Sequence, residues 1–73
     1  MLDWRRIVGD NVRKFRKEAN LTQEQLAFAA EIDLTYVGGI ERGKRNPTVV
    51  VTARIATALG KEPADLLQRE ANS

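Results

Sequence analysis

The chain has no cysteine and no histidine. Those absences remove disulfides, thiol nucleophiles, the usual zinc ligand sets and the commonest general base. Aromatic residues are sparse: one tryptophan, one tyrosine and two phenylalanines in 73 residues. Apolar runs are short, and the opening Met-Leu-Asp-Trp-Arg-Arg has no long hydrophobic region. Neither a signal peptide nor a membrane span is therefore expected, and the expected location is cytoplasmic. A chain of this length is expected to be one domain over residues 1–73, too small for both a core and an enclosed catalytic cleft. Glu24, Glu31, Asp33 and Glu41 fall at caps and surfaces, with no nucleophile and base together. No enzyme, metal site or cofactor is expected, and no small-molecule pocket is readable.

What the chain does have is clustered positive charge. Twelve Lys and Arg against ten Asp and Glu leave a net charge of only +2. Nine of the twelve cations nevertheless lie in two places: Arg5, Arg6, Arg13, Lys14, Arg16 and Lys17 in the first segment, and Arg42, Lys44 and Arg45 in a later loop. Clustering of cations decides nucleic-acid binding more than their total does, although a solvated charged face gives the same pattern.

Periodicity predicts an all-α fold, a compact bundle of five short helices. Trp4, Val8, Val12, Phe15 and Ala19 recur at helical spacing, with Trp4 expected to cap the core end of this first helix and Asn20 to stop it. Thr22 and Gln25 have capping-box spacing, and Leu26, Ala27 and Ala30 form the inward stripe of a second helix. Asp33 caps a third, whose inner face is Val37 and Ile40 and which Gly43 ends. Pro47 disfavours helix at Asn46, Thr48 caps a fourth helix reaching about Leu59, and Pro63 suits the first turn of a fifth. Residues 69–73 are expected to fray. Val49, Val50, Val51, Ile55, Ala56 and Leu59 cover too much of the fourth helix for one small core. With Leu66 and Leu67 they predict a second apolar surface, and Val50, Val51, Leu66 and Leu67 are assigned to a homodimer interface; a local cover from the short tail is the competing reading.

Three runs carry a resemblance: LTQEQLA at Leu21–Ala27, TYVGGIERGKRNP at Thr35–Pro47 and RIATALG at Arg54–Gly60. In this order and spacing, from about Val8 to Leu67, the chain resembles the helix-turn-helix family of phage Cro and repressor proteins (XRE-like). It is most similar there to small bacterial regulators that include the controllers of restriction-modification operons. The resemblance implies a helix-turn-helix over residues 22–42, operator DNA as partner, binding as a homodimer and a role in transcription. A protein-interaction module such as an antitoxin, with DNA binding secondary, is the alternative.

Projection of the third helix at about 100° per residue places Thr35, Gly39 and Arg42 opposite Val37 and Ile40. Leu34, Thr35, Tyr36 and Gly39 are accordingly expected to contact bases, Thr35 through its hydroxyl and methyl groups and Leu34 through apolar contact alone. The resembled controllers often have a basic residue at the position of Leu34, so its absence shifts the expected reading toward thymine; packing of Leu34 on the second helix or a partner is the other reading. Tyr36 is long enough to reach DNA while its ring covers the core rim. Gly38 and Gly39 cost roughly 1 kcal/mol each relative to Ala in a helix interior. Close approach of the backbone to the groove floor would account for them, as would a locally soft helix. The resemblance places a phosphate contact at Gln23, beside the free N–H groups of a helix N-terminus. Arg42, Lys44, Arg45 and Asn46 are expected to follow the sugar-phosphate backbone. Glu41 lies about 40° from Val37, on the inner shoulder, where a carboxylate needs a partner. The resemblance pairs it with Arg16. Glu31 stands where the family often has glycine in the turn, and either a strained conformation or a slightly different turn is the expected consequence.

Overall fold

A computed structural model describes residues 2–69. It contains α1 (Trp4–Glu18), α2 (Gln23–Ala30), α3 (Leu34–Glu41) and α4 (Val49–Ala58), followed by a 3₁₀ segment, Pro63–Leu67. The four helices form a helix-turn-helix fold, with no strand among the described residues. The expected fifth α-helix is instead this 3₁₀ segment. Pro63 lacks an N–H, the Glu62 N–H donates to the Asp65 carboxylate at 2.9 Å, and Gln68 is already extended at ψ 133°. Only a short run fits between these constraints, the length at which 3₁₀ geometry is usual. The tail assigned to fraying lies, apart from Arg69, outside the described residues.

The helices begin where side chains satisfy their free N–H groups. The Asp3 carboxylate accepts from the N–H groups of Arg5 and Arg6 at the start of α1. Thr22 Oγ1 accepts from the Gln25 N–H at 3.0 Å, and the Gln25 side chain accepts from the Thr22 N–H at 2.8 Å. Asp33 caps α3 through the Thr35 N–H at 2.8 Å, and Thr48 caps α4 through the Val51 N–H at 3.0 Å. Each such cap contributes about 1 kcal/mol.

Ends are set by left-handed residues: Asn20 at φ 60°, Glu31 at 58°, Gly43 at 73° and Gly60 at 71°. Asn tolerates this region, whereas Glu31 carries a Cβ penalty of about 1–2 kcal/mol there. Glu31→Gly relieves that strain but enlarges the entropy of the unfolded chain. A net gain of roughly 0.5–1 kcal/mol is expected, read as a raised urea midpoint at constant m-value; an unchanged or lowered midpoint would show that the turn is not strained.

The core gathers one stripe from each element: Val8 and Val12 from α1, Leu26 from α2, Val37 and Ile40 from α3, Ile55 from α4 and Leu66 from the 3₁₀ segment. The first helix packs on α3 and on the 3₁₀ segment, while α2 packs on both α3 and α4. Gly9 permits the crossing of α1 and α3. A Cβ built on it would overlap the Ile40 carbonyl oxygen and lie 3.2 Å from that of Glu41. Asn11, buried on the flank of α1 that meets the 3₁₀ segment, donates from Nδ2 to the carbonyl oxygens of Leu66 and Gln68, both at 2.8 Å. Trp4 does not cap the core as expected. It is half exposed and borders a surface cavity with Pro47, Val49, Pro63 and Leu67.

Candidate nucleic-acid interface

The angle between α2 and α3 is held at one carboxylate. Glu41, 5% exposed, accepts from Arg16 Nε at 2.6 Å and Arg16 Nη2 at 3.0 Å, and also from Gln23 Nε2 at 3.1 Å. The Arg16 Nη1 group donates to the Leu21 carbonyl oxygen at 2.8 Å. The guanidinium thus ties α1, the approach to α2 and the end of α3 together, while Gln23 adds α2 itself. The hydrogen bond to Glu41 raises the Arg16 pKa above its ordinary value, with burial opposing the rise. The sign follows from linkage: stability from a raised pKa is fully present below the unfolded value and is lost only as pH rises through the folded one. For an arginine both lie far above neutrality.

This geometry ties Gln23 to the same cluster. One hydrogen of its side-chain NH₂ group goes to Glu41, which leaves the second for the phosphate contact expected there. Beside it, the backbone N–H groups of Gln23 and Glu24 stay open at that end of α2, ahead of the capped Gln25 N–H.

On α3, Leu34 and Thr35 are exposed at the N-terminal end, and Tyr36 is half-buried against the core. Gly39 departs from the expected open face. It is buried, and a Cβ placed on it would overlap Cγ of Arg45. The Arg45 guanidinium continues over the Tyr36 ring, 4.7 Å from its centroid. Gly38 is covered similarly: a Cβ there would lie 3.1 Å from Arg42 Nη1 and 3.6 Å from Gln23 Oε1. The paired glycines therefore admit two arginine side chains against the helix, and the backbone they leave bare is roofed in this conformation. Substitution of Gly39 by a larger residue displaces Arg45, which removes the simple stabilisation that helix propensity alone would give.

Arg42, Lys44, Arg45 and Asn46 are exposed, and none forms an ion pair among the described residues. They follow α3 directly because Gly43 turns the chain and the Lys44 and Arg45 N–H groups both return to the Gly39 carbonyl oxygen, at 2.9 and 3.2 Å. The basic loop is folded back against the C-terminal half of α3, with the Arg45 side chain reaching Tyr36, rather than left to trail away.

The apolar surface requires one correction. Leu66 is 0% exposed, enclosed by the chain's own core, and cannot meet a partner in this fold. Its carbonyl is held to Asn11, a residue that sequence inspection passes over although it adjoins Val12 on the helical stripe. Val51 is half-buried against the core, whereas Val50 is 62% and Leu67 48% exposed. Val49, at 86%, is the most exposed residue of this surface, although it is not among the four assigned from sequence to the dimer interface.

Comparisons with known proteins agree with this arrangement. A family model described as helix-turn-helix matches residues 12–66. Control protein C.BamHI of Bacillus amyloliquefaciens is 42% identical over 64 residues, covering 86% of this chain and 79% of the relative. Control protein C.SmaI of Serratia marcescens is 39% identical over 69 residues, covering 94% and 82%. Among solved structures, the restriction-modification controller protein C.AhdI from Aeromonas hydrophila superposes with a TM-score of 0.82 at 44% identity, over 85% of this chain and 94% of that one. The chain belongs to the helix-turn-helix family (HTH_3, XRE-like) and is a DNA-binding transcriptional regulator of that type.

Proposed function

We propose that the protein controls a restriction-modification operon, binding a two-fold operator in the cytoplasm as a homodimer of a single domain over residues 1–73. The observation that carries the DNA geometry is that exposed Leu34 and Thr35 start the same helix whose other end holds a folded-back loop, with cations that have no acidic partner among the described residues. The N-terminal end of α3 enters the major groove in this reading. Thr35 reads a base edge or a thymine methyl group, Leu34 makes apolar contact and the Tyr36 hydroxyl reaches a base edge or phosphate. Arg42, Lys44, Arg45 and Asn46 hold the backbone, joined by the first-turn N–H groups of α2. Arg45 leaves Gly39 only if it swings from the Tyr36 ring toward a phosphate.

Dimerisation is supported by exposed apolar side chains on the α4 side. Val49, Val50 and Leu67 are exposed there, and Val49 and Leu67 stand with half-exposed Trp4 around a cavity of about 260 Å³. The molecule measures 32 × 21 × 18 Å. Two copies side by side suit half-sites one helical turn apart, about 34–36 Å.

Fluorescence anisotropy against the DNA upstream of the protein's own gene and a scrambled duplex tests the regulatory reading. A preference of roughly a thousandfold or more is expected; equal binding to both duplexes would overturn autoregulation. Sedimentation equilibrium at micromolar concentration is expected to show a dimer, reduced to a monomer in Val50→Glu/Leu67→Glu. A wild-type monomer overturns the assembly.

A further inference from the structure

The first turn of α1 lies against the basic loop that succeeds α3. The Arg6 guanidinium covers Gly43: a Cβ built there would lie 3.2 Å from Arg6 Cζ and 3.4 Å from both Nε and Nη2. Arg5 instead borders the cavity shared with Trp4, Val49 and Leu67, on the face assigned above to the dimer. Both arginine side chains are 54% exposed, so neither is committed to the core. Their acidic neighbours hold them weakly. Arg5 Nε is 3.7 Å from Asp3 and Arg6 Nη1 is 3.8 Å from Asp10, with both carboxylates more than half in solvent. Exposed pairs of such length have little hold on an arginine when a phosphate offers two oxygens to its planar fork.

We propose that Arg6 supplies a further DNA-backbone contact, making the start of α1 a second arm of the clamp formed by the loop. This rests on the placement of Lys44 and Arg45 along the sugar-phosphate backbone. Gly43 has two functions in the arrangement. Its φ of 73° turns the chain, and its missing side chain lets the Arg6 guanidinium lie against the loop. The resulting strip runs from the first helix to the loop without crossing α3. It positions the protein and carries no base information.

Salt dependence separates this role from packing. Affinity for a random-sequence duplex and for the upstream duplex is measured at several salt concentrations for wild type, Arg6→Gln, Arg6→Lys and Lys44→Gln, with thermal melts of each. A lost phosphate contact makes the slope of log K against log salt shallower by about 0.9 per protomer. Arg6→Gln is expected to show that change on both duplexes, with an unaltered ratio between them, and Arg6→Lys to restore the slope. An Arg6→Gln slope equal to wild type, with Lys44→Gln shallower, overturns the Arg6 assignment and leaves the loop clamp intact. Wild-type slopes in both variants overturn the loop placement as well. A lowered melting temperature with no slope change marks Arg6 as a packing residue and also overturns the proposal.

Discussion

Arg16→Met is expected to lower the unfolding free energy by about 3–5 kcal/mol, because it leaves the Glu41 carboxylate enclosed without its counter-charge. Glu41 is 5% exposed, and only the Gln23 amide would remain on it. The Leu21 carbonyl also loses its donor. At roughly 0.05–0.15 kcal/mol per residue, a domain of this size has only about 4–11 kcal/mol in all. The melting temperature should fall by roughly 12–40 °C at 4–8 °C per kcal/mol, and the fold is lost at the upper end. The double variant Arg16→Met/Glu41→Leu removes both charges together and is expected to be more stable than Arg16→Met alone. Thermal circular dichroism decides the matter: a single variant within about 1 kcal/mol of wild type would place this pair among weak surface bridges.

Gly9→Ala is the second large expected effect, and its sign is the informative part. On an exposed helix face the change would stabilise by about 1 kcal/mol through propensity. Here the new methyl group meets the carbonyl oxygens of Ile40 and Glu41, backbone atoms at the end of α3 that cannot rotate aside. Overpacking of this kind costs about 1–3 kcal/mol and occasionally more. A net loss of stability is expected, together with weaker operator binding, since α1 is pushed from the helix that carries Leu34 and Thr35. Chemical denaturation with parallel anisotropy titrations would check both effects. A stabilised variant with intact affinity would mean that the two helices slide apart freely.

Local features are legible in the sequence because their causes are local. Thr22 with Gln25, Asp33 and Thr48 announce helix starts by residue type and spacing, and the structure forms the corresponding hydrogen bonds. The left-handed turn at Glu31 conforms to the same chain-level reasoning. Illegible features join segments far apart in the chain. Gly9 has no special spacing, and only the crossing with α3 gives it a purpose. Nothing local links Asn11 to carbonyls 55 and 57 residues later. The roofing of Gly38 and Gly39 depends on Arg42 and Arg45 folding back, which helix projection cannot show. Sequence pattern places Leu66 outward because surplus apolar residues on α4 signal a second surface without saying which leucine fills the first. The fifth helix fails for a related reason: Pro63 marks a start, but its length and hydrogen-bond pattern depend on how the chain continues through Gln68.

The Arg16–Glu41–Gln23 cluster has a bearing on how recognition could be retargeted. Its three side chains lock the mutual orientation of α2 and α3 from inside, without recruiting Leu34, Thr35 or the loop cations. The frame that aims α3 is therefore chemically separate from the face that reads. In the proposed DNA complex, conformational entropy lost on binding then falls mainly on long side chains such as Arg42, Lys44 and Arg45 rather than on the helical backbone. Exchange of the exposed residues 34 and 35 should alter which operator is chosen while leaving the scaffold's melting behaviour nearly constant, the property expected of an interchangeable reading head on a rigid mount.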